Sequence, residues 1–303
     1  MSLTVGVVVP CKNERDTLGT CLRSVRAQGS QVARVVVVDN GSTDGSAEIA
    51  EELADEVVRL PDARISRLRN TGALRCRDLD LLAFVDADCE LLPGWLDDAE
   101  SALGAADLVS SRSLAGADAT WVARRWAAIE SHQAHEASLA WSQHLLVRTD
   151  RFLRLGGFDE QMTTGEDAEL SRRLRLTGGT VALLDGMPAV HHGFPPTVRD
   201  FWRRERWHTS TPGWFAPMST KSRALVVLAG AWGVASAAVL AGAAVRRSPW
   251  PLGVWAAGSA AALGGLGTIA GGNARHALQD GSLMSLWALN RALRAPAELK
   301  ARA

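Results

Sequence analysis

The chain has 303 residues, enough for one large domain or two smaller ones that each bury a core. Its 33 basic and 33 acidic residues give a formal net charge of zero, which argues against a nucleic-acid-binding protein. The first ten residues enter an apolar strand directly and lack the basic region and cleavage site of a secretory signal. The four cysteines form no CxxC pair and no zinc-like spacing, which favours a reduced, cytosolic setting.

Strands and helices alternate along the first two thirds of the chain. Strands are predicted over Val5–Pro10, Val35–Val38, Val57–Leu60, Leu81–Val85 and Val181–Leu184, with helices over 18–25, 47–53, 67–75 and 168–176. This alternation is typical of a doubly wound, mostly parallel sheet. Ligands of such sheets bind beyond the carboxyl ends of the strands.

Polar clusters follow three of these strands, at residues 10–14, 39–40 and 86–88. The last cluster places Asp86 and Asp88 directly after the apolar run Leu81–Val85. A divalent cation would relieve the repulsion between the two carboxylates, and hard oxygen ligands suit Mg²⁺ or Mn²⁺. The natural partner of such a metal is a diphosphate, although a solvated turn would also explain two aspartates after a strand.

Five segments occur in an order that resembles the family 2 glycosyltransferases of the GT-A fold. They are VVVPCKNE (7–14), VVVDNGSTDGS (36–46), RNTGA (69–73), FVDADCELLPGWL (84–96) and LLVRTDRFLRLGGFDEQMTTGEDAELSRRLRLTG (145–178). The resemblance covers roughly residues 4 to 210. Two positions depart from the family pattern, because Lys12 replaces a frequent aromatic residue and Asn40 replaces a frequent second aspartate.

This resemblance implies inverting transfer of a sugar from a nucleotide-diphosphate donor, and it assigns roles to the matching residues. Asp39 would bind the nucleotide base, Asp86 would lie near the ribose and the metal, and Asp88 would be the direct metal ligand. The remaining donor-binding candidates in these segments are Pro10, Lys12, Glu14, Arg69 and Asn70.

On the acceptor side, the same resemblance makes Asp167 the general base, with Glu166 beside it as a catalytic candidate. Direct displacement needs one carboxylate near the acceptor, an electrophilic clamp on the leaving diphosphate and no protein nucleophile. A carboxylate pair favoured by a helix dipole would also explain Glu166 and Asp167 in isolation.

Two further motifs extend the predicted site. Of the adjacent His191 and His192, we assign His192 as a further metal ligand, with a surface histidine as the alternative. The segment RDFWRRERWH (199–208) resembles the Gln-x-x-Arg-Trp motif of processive family members, although Arg203 occupies the glutamine position. We assign Arg203 and Arg206 to donor binding, and the alternative is a basic helix on anionic lipid.

The composition changes near residue 220, where the stretches Ala224–Val245 and Pro249–Gly272 are almost entirely apolar. Each is long enough to cross a bilayer, so we predict a catalytic domain over 1–215 and an all-α region over 216–303. That region would hold a two-helix transmembrane hairpin and a short amphipathic tail. A buried hairpin of a soluble domain is the alternative.

The predicted hairpin implies a location at the cell membrane, with the catalytic domain in the cytoplasm. It also favours an acceptor hydroxyl or phosphate on a lipid or a lipid-linked saccharide. Two other functions stay open. Nucleotidyl transfer usually needs a glycine-rich loop after the first strand, and PCKNERDT has no glycine. A non-catalytic membrane scaffold would be expected to lose Asp39, Asp86, Asp88 and Asp167, all of which are present.

Overall fold

The computed structural model describes residues 3–137, 140–209, 250–271 and 274–301, with short pieces between 226 and 239. The chain forms two units. The first comprises residues 1–118 and 134–194, and the second comprises residues 119–133 and 195–303. The predicted boundary between a catalytic domain and an all-α region after residue 215 stays a prediction.

The first unit is built on an eight-stranded sheet. Its strands are β1 (Val5–Cys11), β2 (Val32–Asp39), β3 (Glu56–Arg59), β4 (Leu81–Val85), β5 (Cys89–Leu91), β6 (Leu108–Ala115), β7 (His144–Arg148) and β8 (Val181–His191). The helices along this part of the chain are α1 (Leu18–Arg26), α2 (Ser46–Leu53), α3 (Ile65–Arg75), α4 (Trp95–Ala102), α5 (Trp121–Ala137), α6 (Thr149–Arg154) and α7 (Glu166–Leu176). The predicted α/β class is therefore confirmed.

The strand order is β3-β2-β1-β4-β7-β6-β8-β5. The four strands from β3 to β4 run parallel, as predicted. β7 is antiparallel to both β4 and β6, β8 is parallel to β6, and β5 is antiparallel to β8. The sheet is thus mixed. Its parallel half is the part with regular strand–helix alternation, which brings the carboxyl ends of β1, β2 and β4 to one edge.

Strand β1 lies in the middle of the parallel half and separates two hydrophobic cores. Val5, Val7 and Val9 face the core to which α1 contributes. Val8 faces the other core, to which α3 contributes. Helix α3 approaches β1 closely at Gly72, where a Cβ atom would collide with Cγ1 of Val8 and lie 3.1 Å from Cγ2. The absent side chain therefore lets α3 pack directly on the strand.

The second unit is a group of helices. It contains most of α5, through residue 133, together with α8 (Val198–His208), α9 (Trp250–Gly271) and α10 (Ala277–Ala301), and a 3-10 turn over Ala274–His276. Two ion pairs hold it together. Arg125 donates hydrogen bonds of 2.6 Å to each carboxylate oxygen of the fully buried Asp280, and Arg291 pairs with the buried Glu205.

The predicted transmembrane hairpin is wrong for the described residues. Within the part of the chain that the structure describes, no helix combines the length and the apolarity needed to cross a bilayer. Helix α9 takes much of its length from glycine and alanine, whose small side chains carry little apolar surface. Most of the first predicted span, Ala224–Val245, lies outside the described residues.

The contact between α3 and β1 predicts a coupled effect of two substitutions. Gly72→Ala should lower the free energy of unfolding by about 1 to 3 kcal/mol, because the new methyl group collides with Val8. Val8→Ala removes the colliding methyl groups, so the double variant should lose less stability than the sum of the two single variants. Urea unfolding of the four proteins measures this coupling.

Gly104→Ala is the matched control, because the nearest atom to a Cβ at Gly104 is a carbonyl oxygen 3.6 Å away. Strict additivity of Gly72→Ala and Val8→Ala would contradict the proposed contact.

Candidate active site

The loops after β1 and β2 are joined by hydrogen bonds at the carboxyl edge of the sheet. Asn13 adopts a left-handed φ of 56°, and its side-chain oxygen accepts a hydrogen bond of 2.8 Å from the backbone N–H of Thr43. The backbone N–H of Asn13 donates to Ser42 Oγ, and that of Glu14 donates to Ser46 Oγ. These contacts fix the segments 10–14 and 39–46 relative to each other.

Asp39 ends β2 beside Cys11, the last residue of β1. Its buried carboxylate accepts hydrogen bonds from the backbone N–H groups of Gly41 and Ser42, at 3.1 and 3.2 Å. Asn40 is occupied in another way, because its amide exchanges two 3.0 Å hydrogen bonds with the backbone of Ala63. Asp39 thus lies at the predicted edge, and its role in base binding stays a prediction.

Arg69 connects the donor-side and acceptor-side carboxylates that the sequence singled out. Its guanidinium donates to Asp86 Oδ1 at 2.6 Å and to Glu166 Oε1 at 2.5 Å. Only 3% of the Arg69 side chain is exposed, and its guanidinium carbon lies 5.7 Å from the ring centroid of Phe158. One buried cation therefore holds the ends of β4 and α7 together.

Burial alone would lower the pKa of the Arg69 guanidinium, but Asp86 and Glu166 outweigh that effect and raise the pKa. Burial raises the pKa of the Asp86 carboxyl, which Arg69 opposes and Asp88 reinforces. The pKa of Glu166 is likewise raised by burial and by Asp167, and Arg69 again opposes the shift. Arg69 therefore offsets only part of the effect that burial has on the pKa of these two carboxyls.

Asp88 contacts a histidine from β8. Its Oδ2 lies 3.1 Å from Nε2 of the buried His191. Gly193 makes room for this pair, because a Cβ at Gly193 would collide with Asp88 Oδ2 and approach His191 Nε2 to 3.0 Å. The histidine that contacts Asp88 is therefore His191, whereas the sequence analysis assigned His192 as the further metal ligand.

His192 instead has its Nε2 atom 3.4 Å from Glu90 Oε2, in an exposed position. The physical reason is the register of β8. His191 pairs with Cys89 across the antiparallel β5–β8 ladder, and neighbouring residues on a strand point to opposite faces. The assignment of His192 as a metal ligand has no support from this arrangement.

A metal could be held by Asp88 and His191, which together with Cys89 offer three candidate atoms within 4.8 Å of one another. Cys89 is the least suitable of the three, since its side chain packs in the hydrophobic core and burial raises the pKa of its thiol. The remaining carboxylate and imidazole form a donor set that fits Mn²⁺ better than Mg²⁺, which prefers oxygen ligands.

Asp167 lies in the first turn of α7 and is oriented by Ser142, a residue that the sequence analysis missed. The backbone N–H and the hydroxyl of Ser142 both donate to Asp167 Oδ2, at 3.1 and 3.2 Å. The neighbouring Gln143 accepts a hydrogen bond through its carbonyl oxygen from the backbone N–H of Asp86. No motif identifies this segment, because its partners are remote in sequence.

The side chain of Asn70 forms hydrogen bonds within the protein. Its amide bonds to both the backbone N–H and the carbonyl of Phe158, each at 2.9 Å, and also to Glu160. The adjacent Gly157 has a φ of 72°, and a Cβ there would lie 2.6 Å from the Asn70 oxygen. In this structure Asn70 holds the Gly157–Phe158 turn, and its assignment to donor binding stays a prediction.

The remaining donor-binding candidates fall into two groups. In the first unit, Pro10 lies in β1, Lys12 is exposed just beyond β1, and Glu14 lies nearby with its carboxylate accepting from Thr17 Oγ1 at 3.0 Å. In the second unit, Arg203 and Arg206 lie on an exposed part of α8, with Arg203 paired to Asp200 at 2.8 Å. Their assigned roles stay predictions.

Removing the charge of Arg69 should destabilise the fold strongly. Arg69→Met leaves the buried Glu166 and the partly buried Asp86 without their cation, and breaking such buried pairs costs about 3 to 5 kcal/mol of unfolding free energy. Arg69→Met/Glu166→Gln should recover part of this loss, because one buried charge is removed. Thermal or urea unfolding compares the two variants, and equal stabilities would contradict the bridge.

Glu14 predicts a pH effect on stability. Burial and the nearby Asp88 raise the pKa of Glu14 from 4.5 to about 7. Between these values the folded state binds more protons than the unfolded state, so stability falls as the pH rises through this window. Glu14→Gln cannot ionise and should be more stable than the wild type above about pH 7, by at most about 3 kcal/mol.

This advantage should disappear near pH 4.5, where the wild-type carboxyl is protonated in the folded state. Melting temperatures in metal-free buffer across that range provide the measurement. The exposed Glu48→Gln on α2 is the control, and an equal pH profile in both variants would contradict the prediction.

Two family models and several curated proteins match this chain. Residues 6–158 match the family described as Glycosyl transferase family 2, and residues 108–287 match Glycosyl transferase family group 2. A curated relative is the succinoglycan biosynthesis protein ExoA of Rhizobium meliloti, 29% identical over 282 residues, which cover 83% of this chain and 82% of that protein.

Two solved structures share the fold. The mannosyltransferase PcManGT from Pyrobaculum calidifontis, solved with GDP-Man and Mn²⁺, has a TM-score of 0.67 and 19% identity, covering 97% of this chain and 88% of that one. S. aureus TarS has a TM-score of 0.50 and 20% identity, covering 67% of this chain and only 38% of its own. The family matches span half of the chain and more, so the chain belongs to the family 2 glycosyltransferases and is a glycosyltransferase enzyme.

Proposed function

We propose that this enzyme transfers a sugar from a nucleotide-diphosphate donor to an acceptor hydroxyl, with inversion and with the help of a divalent metal. The observation that carries the proposal is the Arg69 bridge. It joins Asp86, on the side expected to bind the donor, to Glu166, the neighbour of the expected base Asp167. The bridge thereby holds the residues expected to bind the donor and the acceptor at one edge of the sheet, as a single displacement requires.

The acceptor side supplies one base and no nucleophile. Asp167 is only partly buried, and Ser142 holds its Oδ2 atom in place. Glu166 is buried and bound to Arg69, so it is not available to attack the sugar. Asp167 therefore takes the proton from the acceptor hydroxyl as that oxygen attacks the anomeric carbon, on the face opposite the leaving diphosphate.

The donor side holds the diphosphate through charge. Asp88 and His191 are the residues that would hold Mn²⁺, which when bound neutralises the charge that develops on the leaving diphosphate. The PcManGT structure contains GDP-Man and Mn²⁺, and its similar fold supports a nucleotide-diphosphate sugar and Mn²⁺ as the groups bound by this enzyme. Asp39, at the end of strand β2 and beside Cys11 of β1, would bind the nucleoside part of the donor.

We propose a saccharide acceptor from the name of the ExoA relative. Succinoglycan, named for the ExoA relative, is a saccharide, so we take a saccharide hydroxyl as the acceptor. Attachment of that saccharide to a lipid was inferred from the hairpin, which the described residues do not support. The experiment below therefore tests whether the acceptor is linked to a lipid. The membrane location stays a prediction.

Nucleotide release tests the donor half. Purified protein is incubated with a panel of nucleotide sugars and Mn²⁺ or Mg²⁺, with soluble saccharides and a bacterial lipid extract as separate acceptors. Asp88→Ala should reduce metal-dependent turnover by about 100-fold or more, because the diphosphate loses its clamp. Asp97→Asn, an exposed carboxylate on α4, is the control and should keep the wild-type rate.

Transfer to the acceptor tests the base. Asp167→Asn should lower transfer by about 100- to 10,000-fold while leaving nucleotide-sugar affinity within a few-fold of the wild type. An unchanged transfer rate would rule out Asp167 as the base. No turnover with any donor, despite a folded protein, would instead favour a non-catalytic scaffold.

A further inference from the structure

Strand β8 contains an irregularity just before the histidine that contacts Asp88. Along the parallel β6–β8 ladder, Ser111 pairs with Leu184 and the next paired positions are Ser113 and Ala189. One residue of β6 (112) therefore lies opposite four residues of β8 (185–188), so β8 carries three extra residues. We call residues 185–188 the β8 bulge.

An odd number of extra residues reverses the face on which the later side chains lie. Before the β8 bulge, Ala182 and Leu184 pack against the core that contains α1 and α4. Met187 within the bulge and Ala189 directly after it belong to that same core. Even-numbered positions face this core before the bulge, and odd-numbered positions face it afterwards.

This reversal decides which histidine meets Asp88. Strict alternation from Ala182 and Leu184 would put His192 on the face of this core. In the structure, His191 pairs with Cys89, a member of the core, and contacts Asp88 at 3.1 Å. The β8 bulge thus brings His191 to this position and leaves His192 beside Glu90.

The β8 bulge is held by side chains from two other elements. Asp98 on α4 accepts a hydrogen bond of 3.1 Å from the backbone N–H of Met187. Ser111 on β6 reaches the carbonyl oxygens of Leu184 and Gly186, each at 2.7 Å. Met187 is fully buried with a φ of 50°, a left-handed conformation that is unfavourable for a residue with a side chain and persists only where the surroundings enforce it.

We propose that Asp98 is a positioning residue, which acts through the β8 bulge to present His191 rather than His192 to the metal beside Asp88. The proposal rests on the proposed function for its metal. Asp98 accepts the hydrogen bond of the Met187 backbone N–H and so stabilises the strained Met187 conformation. The register of His191 follows from that conformation. Asp98 touches neither metal nor substrate in this scheme.

Binding of Mn²⁺ alone tests the proposal without relying on activity. The titration follows the loss of free Mn²⁺ by electron paramagnetic resonance in the full-length wild type and its variants. Asp98→Ala should raise the dissociation constant about 10-fold or more, the usual effect of losing a residue that orients a ligand. Asp98→Asn keeps an oxygen acceptor for the Met187 N–H and should bind within about 2-fold of the wild type.

Two histidine variants separate this inference from the proposed function. His191→Ala should abolish Mn²⁺ binding and His192→Ala should leave it unchanged; if His191→Ala binds normally, the proposed metal site itself is wrong. If His191→Ala fails to bind but Asp98→Ala binds like the wild type, only the role of Asp98 is overturned. Melting temperatures confirm that each variant is folded.

Deletion of Gly186 gives a second, independent test where the deleted protein folds. Removing one residue from the β8 bulge restores the original alternation, so Mn²⁺ binding should come to depend on His192 and no longer on His191. Continued dependence on His191 in the deletion variant would contradict the proposed effect of the bulge.

Discussion

The buried Arg69 guanidinium is the interaction on which the arrangement of this site depends. A guanidinium that is 3% exposed is costly unless carboxylates offset the loss of water, and here Asp86 and Glu166 do so from two different elements. Such a triad adds little net stability compared with apolar packing, but it tolerates few alternative geometries. The ends of β4 and α7 are therefore fixed relative to each other by charge rather than by packing alone.

The position of Arg69 depends in turn on a glycine. Arg69 lies on α3 one turn before Gly72, where the missing side chain lets the helix rest on Val8 of β1. A larger residue would push α3 away from the sheet and move the guanidinium from its two carboxylates. The RNTGA segment thus combines a packing requirement, a charged bridge, and an asparagine that holds the Gly157–Phe158 turn.

Local patterns were enough to predict the parallel half of the sheet and the edge where Asp39, Asp86, Asp88 and Asp167 lie. They failed where a residue's partner is remote in sequence. Asn70 finds its partner 88 residues later at Phe158, and the β8 bulge is fixed by Asp98 from 89 residues earlier. The hairpin prediction failed for a different reason: many positions of α9 are glycine and alanine, whose small side chains carry little apolar surface.

The balance of charge at the sheet edge supports the proposal that a cation takes part in donor binding. Asp86 and Glu166 share the single charge of Arg69, and burial raises the pKa of both carboxyls even so. Glu14 adds a third carboxyl whose pKa is raised to about 7, in part by Asp88. A diphosphate brought to this edge would add negative charge beside Asp88 and Glu14. In the proposed function, a divalent cation held by Asp88 and His191 would offset that charge.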